Sequence, residues 1–112
     1  MGEDKPAVTV DERVLDEIIR RIVAIARPER IIMFGSMARR QAGPNSDVDL
    51  LVIKSGQYHR RKLAQEIHMS LFGVDQAVDV IVATPEDIER YRDSPALVIY
   101  PALREGRVGY VA

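Results

Sequence analysis

Short apolar runs of strand length, Arg30–Phe34, Val48–Ile53 and Ala77–Ala83, alternate along this chain with segments whose apolar residues recur at helical spacing. That alternation narrows the fold more than any other feature. Strands that read as nearly continuous apolar stretches are covered on both faces, and helices interleaved with them supply the cover. The pattern therefore predicts a layered α/β (α+β) domain, a small and mostly buried mixed sheet flanked by helices.

Local signals set the element boundaries. Thr9 with Glu12 makes a capping-box pattern, and Val14, Leu15, Ile18, Ile19, Ile22, Val23 and Ile25 follow with helical period, so a helix is expected from Asp11 to about Ala26, stopped by Pro28. Arg30–Phe34 ends at Gly35-Ser36. Met37 to Gln41 reads as a short helix, and Ala42 to Ser46 as a turn before the strand Val48–Ile53. Leu63, Ala64, Ile67, His68 and Leu71 mark the apolar face of another helix ending near Gly73, which places His68 as a packed, hydrogen-bonded histidine. After Ala77–Ala83, the residues Thr84, Pro85 and Asp87 carry an N-cap, a first-turn proline and a capping acid for a helix to about Arg92. Ser94-Pro95 starts a further segment that Pro101 interrupts, and Arg107 to Val111 forms a closing strand. Leu97 to Tyr100 is apolar on every side of a helix, which suits either a core or a surface that docks another chain.

At 112 residues with 46% hydrophobic content, the chain suffices for one core, so residues 11–112 are expected as a single domain behind a flexible N-terminus of residues 1–10. Sixteen Lys plus Arg against seventeen Asp plus Glu give a net charge of -1, which offers no general attraction to nucleic acid or anionic membrane. Cysteine is absent, which excludes disulfides and thiolate chemistry. The first ten residues lack an apolar signal region, and no stretch approaches the roughly 18 apolar residues of a membrane span. A soluble cytoplasmic protein is the expectation.

The chemistry concentrates between Gly35 and Asp49. Residues i and i+2 of a strand share a face, roughly 6.5 Å apart along the backbone, so Asp47 and Asp49 can converge on two metal ions ~3.5–4 Å apart. Asp49 and Asp79 both fall within apolar strands, where an uncompensated carboxylate costs several kcal/mol, so a cation is expected beside them. Magnesium suits such a site, because it takes carboxylate, phosphate and water oxygens, and the chain offers no cysteine and few histidines for zinc. Taken singly, the aspartates have structural readings: Asp47 as a turn former, Asp49 in an ion pair, Asp79 at a strand end. Gly35 lets the backbone approach a phosphate, and Ser36 offers a hydroxyl and an amide at a helix start, although a plain strand-to-helix turn with a serine cap explains the same pair. Arg39 and Arg40 can neutralise phosphate oxygens or simply face solvent. His59, Arg60, Arg61 and Lys62 form the densest basic run, which reads as a solvated face or a contact for an acidic partner.

At Gly35-Ser36, Asp47, Asp49 and Asp79 the sequence resembles the nucleotidyltransferase superfamily related to DNA polymerase β, and in length its minimal nucleotidyltransferase group. The likeness runs from about Val14 to Val111. It implies the polymerase β-like fold, with Asp47, Asp49 and Asp79 as ligands of two magnesium ions and as catalytic carboxylates. Gly35, Ser36 and Arg39 are then the groups that hold the nucleoside triphosphate. Relatives commonly carry glycine after Gly-Ser-x-Ala-Arg, where this chain has Arg40. The implied reaction is attack of an acceptor hydroxyl on the α-phosphorus of ATP with departure of pyrophosphate. Members of the minimal group commonly pair with a small helical toxin of the HEPN type and act as its antitoxin by placing AMP on a tyrosine. The resemblance therefore implies adenylylation of such a partner within a hetero-oligomer, with no membrane or direct nucleic-acid role. Transfer to a small molecule such as an aminoglycoside, neutralisation by contact alone, and a vestigial site are the alternatives.

Overall fold

The computed structural model describes residues 12–34, 48–74, 76–91 and 106–112. The helix α1 (Glu12–Ala26) buries Leu15, Ile18, Ile22 and Ala26, a stripe spaced by three and four residues as the sequence predicts. Each large side chain in that stripe contributes about 1.5–3 kcal/mol of burial. Val23 accepts the final backbone bond from Arg27 at 3.0 Å, and Arg27 adopts a left-handed φ of 48° directly before the buried Pro28. The chain then enters β1 (Arg30–Phe34).

β1 pairs antiparallel with β2 (Val48–Ile53) and, on its other side, with β4 (Arg107–Val111). The helix α2 (Arg60–Ser70) connects β2 to β3 (Val78–Ala83), and these two strands run parallel, giving the order β3-β2-β1-β4. A parallel pair needs a crossover of this kind, since a tight turn cannot reverse the chain twice. The third described helix, α3 (Pro85–Tyr91), follows β3. The result is the expected mixed sheet flanked by helices. Among the described residues no helix is long and apolar enough to cross a membrane.

The two faces of the sheet differ. Ile31 and Met33 of β1 with Val48, Leu50 and Val52 of β2 pack against Leu15, Ile18, Ile22, Leu63, Ile67 and Leu71 of α1, α2 and the residue following α2. The alternate residues, Ile32, Phe34, Leu51, Ile53 and Ala83, make a second cluster with Ile81 and with Ile88 of α3. Long-range polar contacts hold the helices in place. Arg21 Nη1 donates to the carbonyls of Ser70 at 3.1 Å and Phe72 at 3.0 Å, so α1 caps the end of α2. Arg21 Nε donates to Glu17 at 2.7 Å, and Arg20 pairs with the same carboxylate; these arginine hydrogen bonds hold Glu17 below the usual carboxylate range.

α2 differs from its sequence reading in two respects. His68 is exposed, because the buried stripe is Leu63, Ile67 and Leu71, spaced by four and centred on Ile67, and the next residue is turned about 100° away from it. The helix also stops at Ser70 with Leu71 as its cap, and Gly73, at φ 91°, turns the chain two residues later. In the basic run, His59 Nδ1 accepts from Lys62 N at 3.2 Å and caps α2, while Arg60 pairs with Asp87 of α3 at 2.7 Å. Arg61 and Lys62 face solvent. The predicted features at Thr9, Asp11, Met37 to Ser46 and Ser94 to Pro101 lie outside the described residues.

Candidate active site

Asp49 is the second residue of β2, between Val48 and Leu50, both fully buried against the helices. Alternation along the strand turns Asp49 to the opposite face, the one carrying Leu51 and Ile53. In β1 the register partner of Asp49 is Phe34, the last residue before Gly35. In β3 its register partner is Asp79.

That second pairing brings the site together. Parallel strands lie about 4.8 Å apart, and residues paired in register project to the same face, so the carboxylates of Asp49 and Asp79 are neighbours although 30 positions separate them in the sequence. Asp49 is half-buried in a central strand, with Phe34 as the apolar wall on its other side. Asp79 is exposed, which corrects the expectation that it is buried among apolar neighbours. β3 is an edge strand, and Asp79 sits on the face that α1 and α2 do not cover. Desolvation therefore does not demand a cation beside Asp79. What favours one is the second carboxylate next to it, since a divalent cation held between two neighbouring carboxylates offsets their mutual repulsion.

Gly35, Ser36, Arg39, Arg40 and Asp47 lie outside the described residues, as does Leu97 to Tyr100. Among the described residues no third histidine, cysteine or acid joins the Asp49–Asp79 pair to complete a metal cluster. The pair itself offers only hard oxygen donors, the chemistry that magnesium accepts and zinc does not prefer. A hollow of about 580 Å³ opens near the far end of this face, lined by Glu29, Arg30, Ile53, Ile88 and Val111 among others. Among the described residues, neither Asp49 nor Asp79 lines it, and Ile53 lies four strand positions from Asp49, roughly 13 Å away.

Sequence reasoning missed Phe34 as part of this site. The signal was available: Phe34 closes the strand immediately before Gly35, and antiparallel pairing with Val48–Ile53 sets the two strand ends facing each other. At the far end of the same face α3 packs Ile88 against the second cluster, and its start is a reciprocal cap. Thr84 N donates to Asp87 Oδ2 at 3.0 Å, and Asp87 N donates to Thr84 Oγ1 at 3.1 Å.

Among solved structures, a candidate nucleotidyltransferase from Sulfolobus solfataricus superposes with a TM-score of 0.65 at 21% identity, over 99% of this chain and 92% of that one. A chain of a toxin–antitoxin crystal structure with AMP-PNP gives 0.56 at 20% identity, over 87% of this chain and 73% of that one. A chain from the complex of tri-AMPylated Shewanella oneidensis HEPN toxin with MNT antitoxin gives 0.55 at 19% identity, over 90% and 72%. At these identities the superpositions establish the fold alone. No curated protein matches the sequence. The family model described as "Polymerase beta, Nucleotidyltransferase" matches residues 16–110, which takes in β1, β2, β3, all of β4 but Val111, Asp49, Asp79 and the segment between β1 and β2, and the chain thus belongs to the polymerase β nucleotidyltransferase family.

Proposed function

We propose that this nucleotidyltransferase transfers AMP from ATP to a hydroxyl, specifically a tyrosine, of a helical HEPN-type partner protein and so acts as its antitoxin. The observation that carries the reading is the parallel register of β2 and β3, which sets Asp49 beside Asp79 on the sheet face opposite α1 and α2. Support for the partner class comes from the fold shared with chains of structures described as toxin–antitoxin complexes, one with AMP-PNP and one with an AMPylated HEPN toxin.

In this reading Asp47, Asp49 and Asp79 hold two magnesium ions, and Gly35, Ser36 and Arg39 hold the triphosphate. The chemistry supplied by bound magnesium is a lower pKa for the attacking hydroxyl and neutralisation of charge on the departing pyrophosphate. Asp79, exposed on the edge strand, faces the acceptor side and takes the proton from the acceptor oxygen at its carboxylate. A bond then forms between that oxygen and the α-phosphorus, while the α–β phosphoanhydride breaks and pyrophosphate leaves in line. Phe34 keeps water from one side of Asp49, which strengthens its grip on a cation. In this reading another macromolecule presents the acceptor hydroxyl.

The test is to incubate the chain with magnesium, α-labelled ATP and the small protein encoded beside it, with and without the Asp47→Asn, Asp49→Asn double change. Label on a partner tyrosine that disappears with the double change is expected. A partner that stays unlabelled yet neutralised would replace transfer with inhibition by contact.

A further inference from the structure

The turn after α2 displays its most exposed apolar side chains on a fixed support. Phe72 is 88% exposed and Met69, three residues earlier on the last turn of α2, is 75% exposed. The turn that carries them is anchored at both ends of the pair. Arg21 Nη1 holds the Ser70 and Phe72 carbonyls, and Phe72 N donates to Met69 O at 3.2 Å. Leu71, between them, is buried in the core. The backbone under Phe72 is thus fixed while its ring stands in water, and aromatic side chains presented on an ordered backbone are enriched as anchors in protein contacts.

Directly beside this knob lies a hollow of about 240 Å³ lined by Arg13, Val14, Glu17, Arg21, Gly73 and Val74. Gly73 and Val74 follow Phe72 in the chain, and Arg21 both lines the hollow and grips the knob, so the two features share one surface. The hollow is smaller than the ~300–1,000 Å³ of sites for small molecules, but it is of the size that one aromatic side chain fills. Its floor is apolar at Val14 and Val74, and its rim carries both signs of charge in Arg13, Glu17 and Arg21. A knob and a matching hollow on the same face are the two halves of an isologous contact.

We propose that this face joins two copies of the chain about a two-fold axis, with Phe72 of each copy seated in the hollow between α1 and the β3-leading turn of the other. A rim of mixed sign meets itself across the axis without a block of like charge. Phe72, Met69 and the hollow that receives them bury on the order of 500 Å² per copy, about 1,000 Å² in all, which is near the lower limit for a specific interface. The dimer is accordingly weak and concentration-dependent. α2 packs on the sheet face opposite the one that carries Asp49 and Asp79.

Sedimentation equilibrium of the full chain from about 5 to 500 μM tests this, with Phe72→Ala and Met69→Gln run beside it. A mass rising from monomer toward dimer is expected, with the dissociation constant raised about 30-fold by Phe72→Ala and less by Met69→Gln. Because both side chains are exposed, the variants keep the parent circular-dichroism melting curve at low concentration. A chain that stays monomeric throughout overturns the proposal, including the case where Phe72 proves to dock a different protein. A dimer that Phe72→Ala leaves unchanged overturns it equally, since the contact then uses another face.

Discussion

Replacing Asp79 with asparagine has opposite effects on stability with and without magnesium. In register with Asp49 on the neighbouring strand, Asp79 places a second negative charge about 5–6 Å from the first. At that distance in a largely aqueous setting the repulsion is about 0.5–1 kcal/mol, reduced further by salt. Asparagine keeps the shape and removes the charge. In EDTA and low salt the Asp79→Asn chain is therefore more stable than the parent, with its melting temperature raised by about 2–4 °C for a domain of this size. Magnesium reverses the order. At ten times its dissociation constant a bound ion stabilises the parent by about 1.4 kcal/mol through mass action, and the variant loses most of that gain. Thermal unfolding followed by circular dichroism, with a titration of magnesium against EDTA, reads both effects on one sample. A variant less stable than the parent in EDTA would show that Asp79 serves the fold, and an undiminished magnesium response would remove it from the metal site.

Three further perturbations probe the supports of the fold. Asp87 both caps α3 and pairs with Arg60, so Asp87→Ala is expected to cost about 1.5–2 kcal/mol, while Asp87→Asn, which keeps the cap and loses the charge, costs about 0.5 kcal/mol by urea unfolding. Equal losses would mean that the ion pair and not the cap carries the effect. Glu29 accepts bonds from the backbone and hydroxyl of Ser55, and those bonds, the hydroxyl's first, hold its carboxyl below the ordinary value. The folded state thus binds the proton less tightly than the unfolded state, so the contribution is complete above about pH 5 and fades as pH falls through the lowered value. Solvent screening limits it to a few tenths of a kcal/mol, and Glu29→Gln should show a flatter stability profile between about pH 5 and 3; an unchanged acid limb would count against the contact. Arg27 holds a left-handed φ that glycine adopts without steric penalty, so Arg27→Gly should raise stability by about 0.5–1 kcal/mol in the same urea assay, and a loss would show that the arginine side chain outweighs the strain.

The strands were legible because apolar runs bounded by Gly, Pro and Asn leave little freedom: Arg30–Phe34, Val48–Ile53 and Arg107–Val111 coincide with β1, β2 and β4. The start of α3 at Thr84 and Asp87 was legible for the same reason, since a cap is a local contact. What the sequence hid was long-range. Arg21 reaches the Ser70 carbonyl across 49 positions, and nothing near Arg21 announces it. Strand order was hidden too, and with it the exposure of Asp79, because an apolar run reads alike at the edge and at the centre of a sheet until its neighbours are known. His68 was misread through a one-residue error of helical phase, the kind of error a stripe with only Leu63, Ile67 and Leu71 in it permits.

The register that forms the site is enforced by the core. β2 reads Val-Asp-Leu-Leu-Val-Ile and β3 reads Val-Asp-Val-Ile-Val-Ala, so aligning Val48 with Val78 aligns Asp49 with Asp79 and every later pair. Val78, Val80 and Val82 then fall on the α1–α2 face with Val48, Leu50 and Val52. A slip of β3 by one residue would turn Asp79 toward that face and move its valines away from it. The cost is several kcal/mol for the carboxylate plus the lost burial of the valines. Against a total stability of roughly 5–15 kcal/mol, such a misregistered state is scarcely populated. Packing on one side of the sheet thus selects the pairing of carboxylates on the other. It follows that core substitutions at Val80 or Val82, which never touch a nucleotide, can loosen the Asp49–Asp79 pair by weakening the preference for this register.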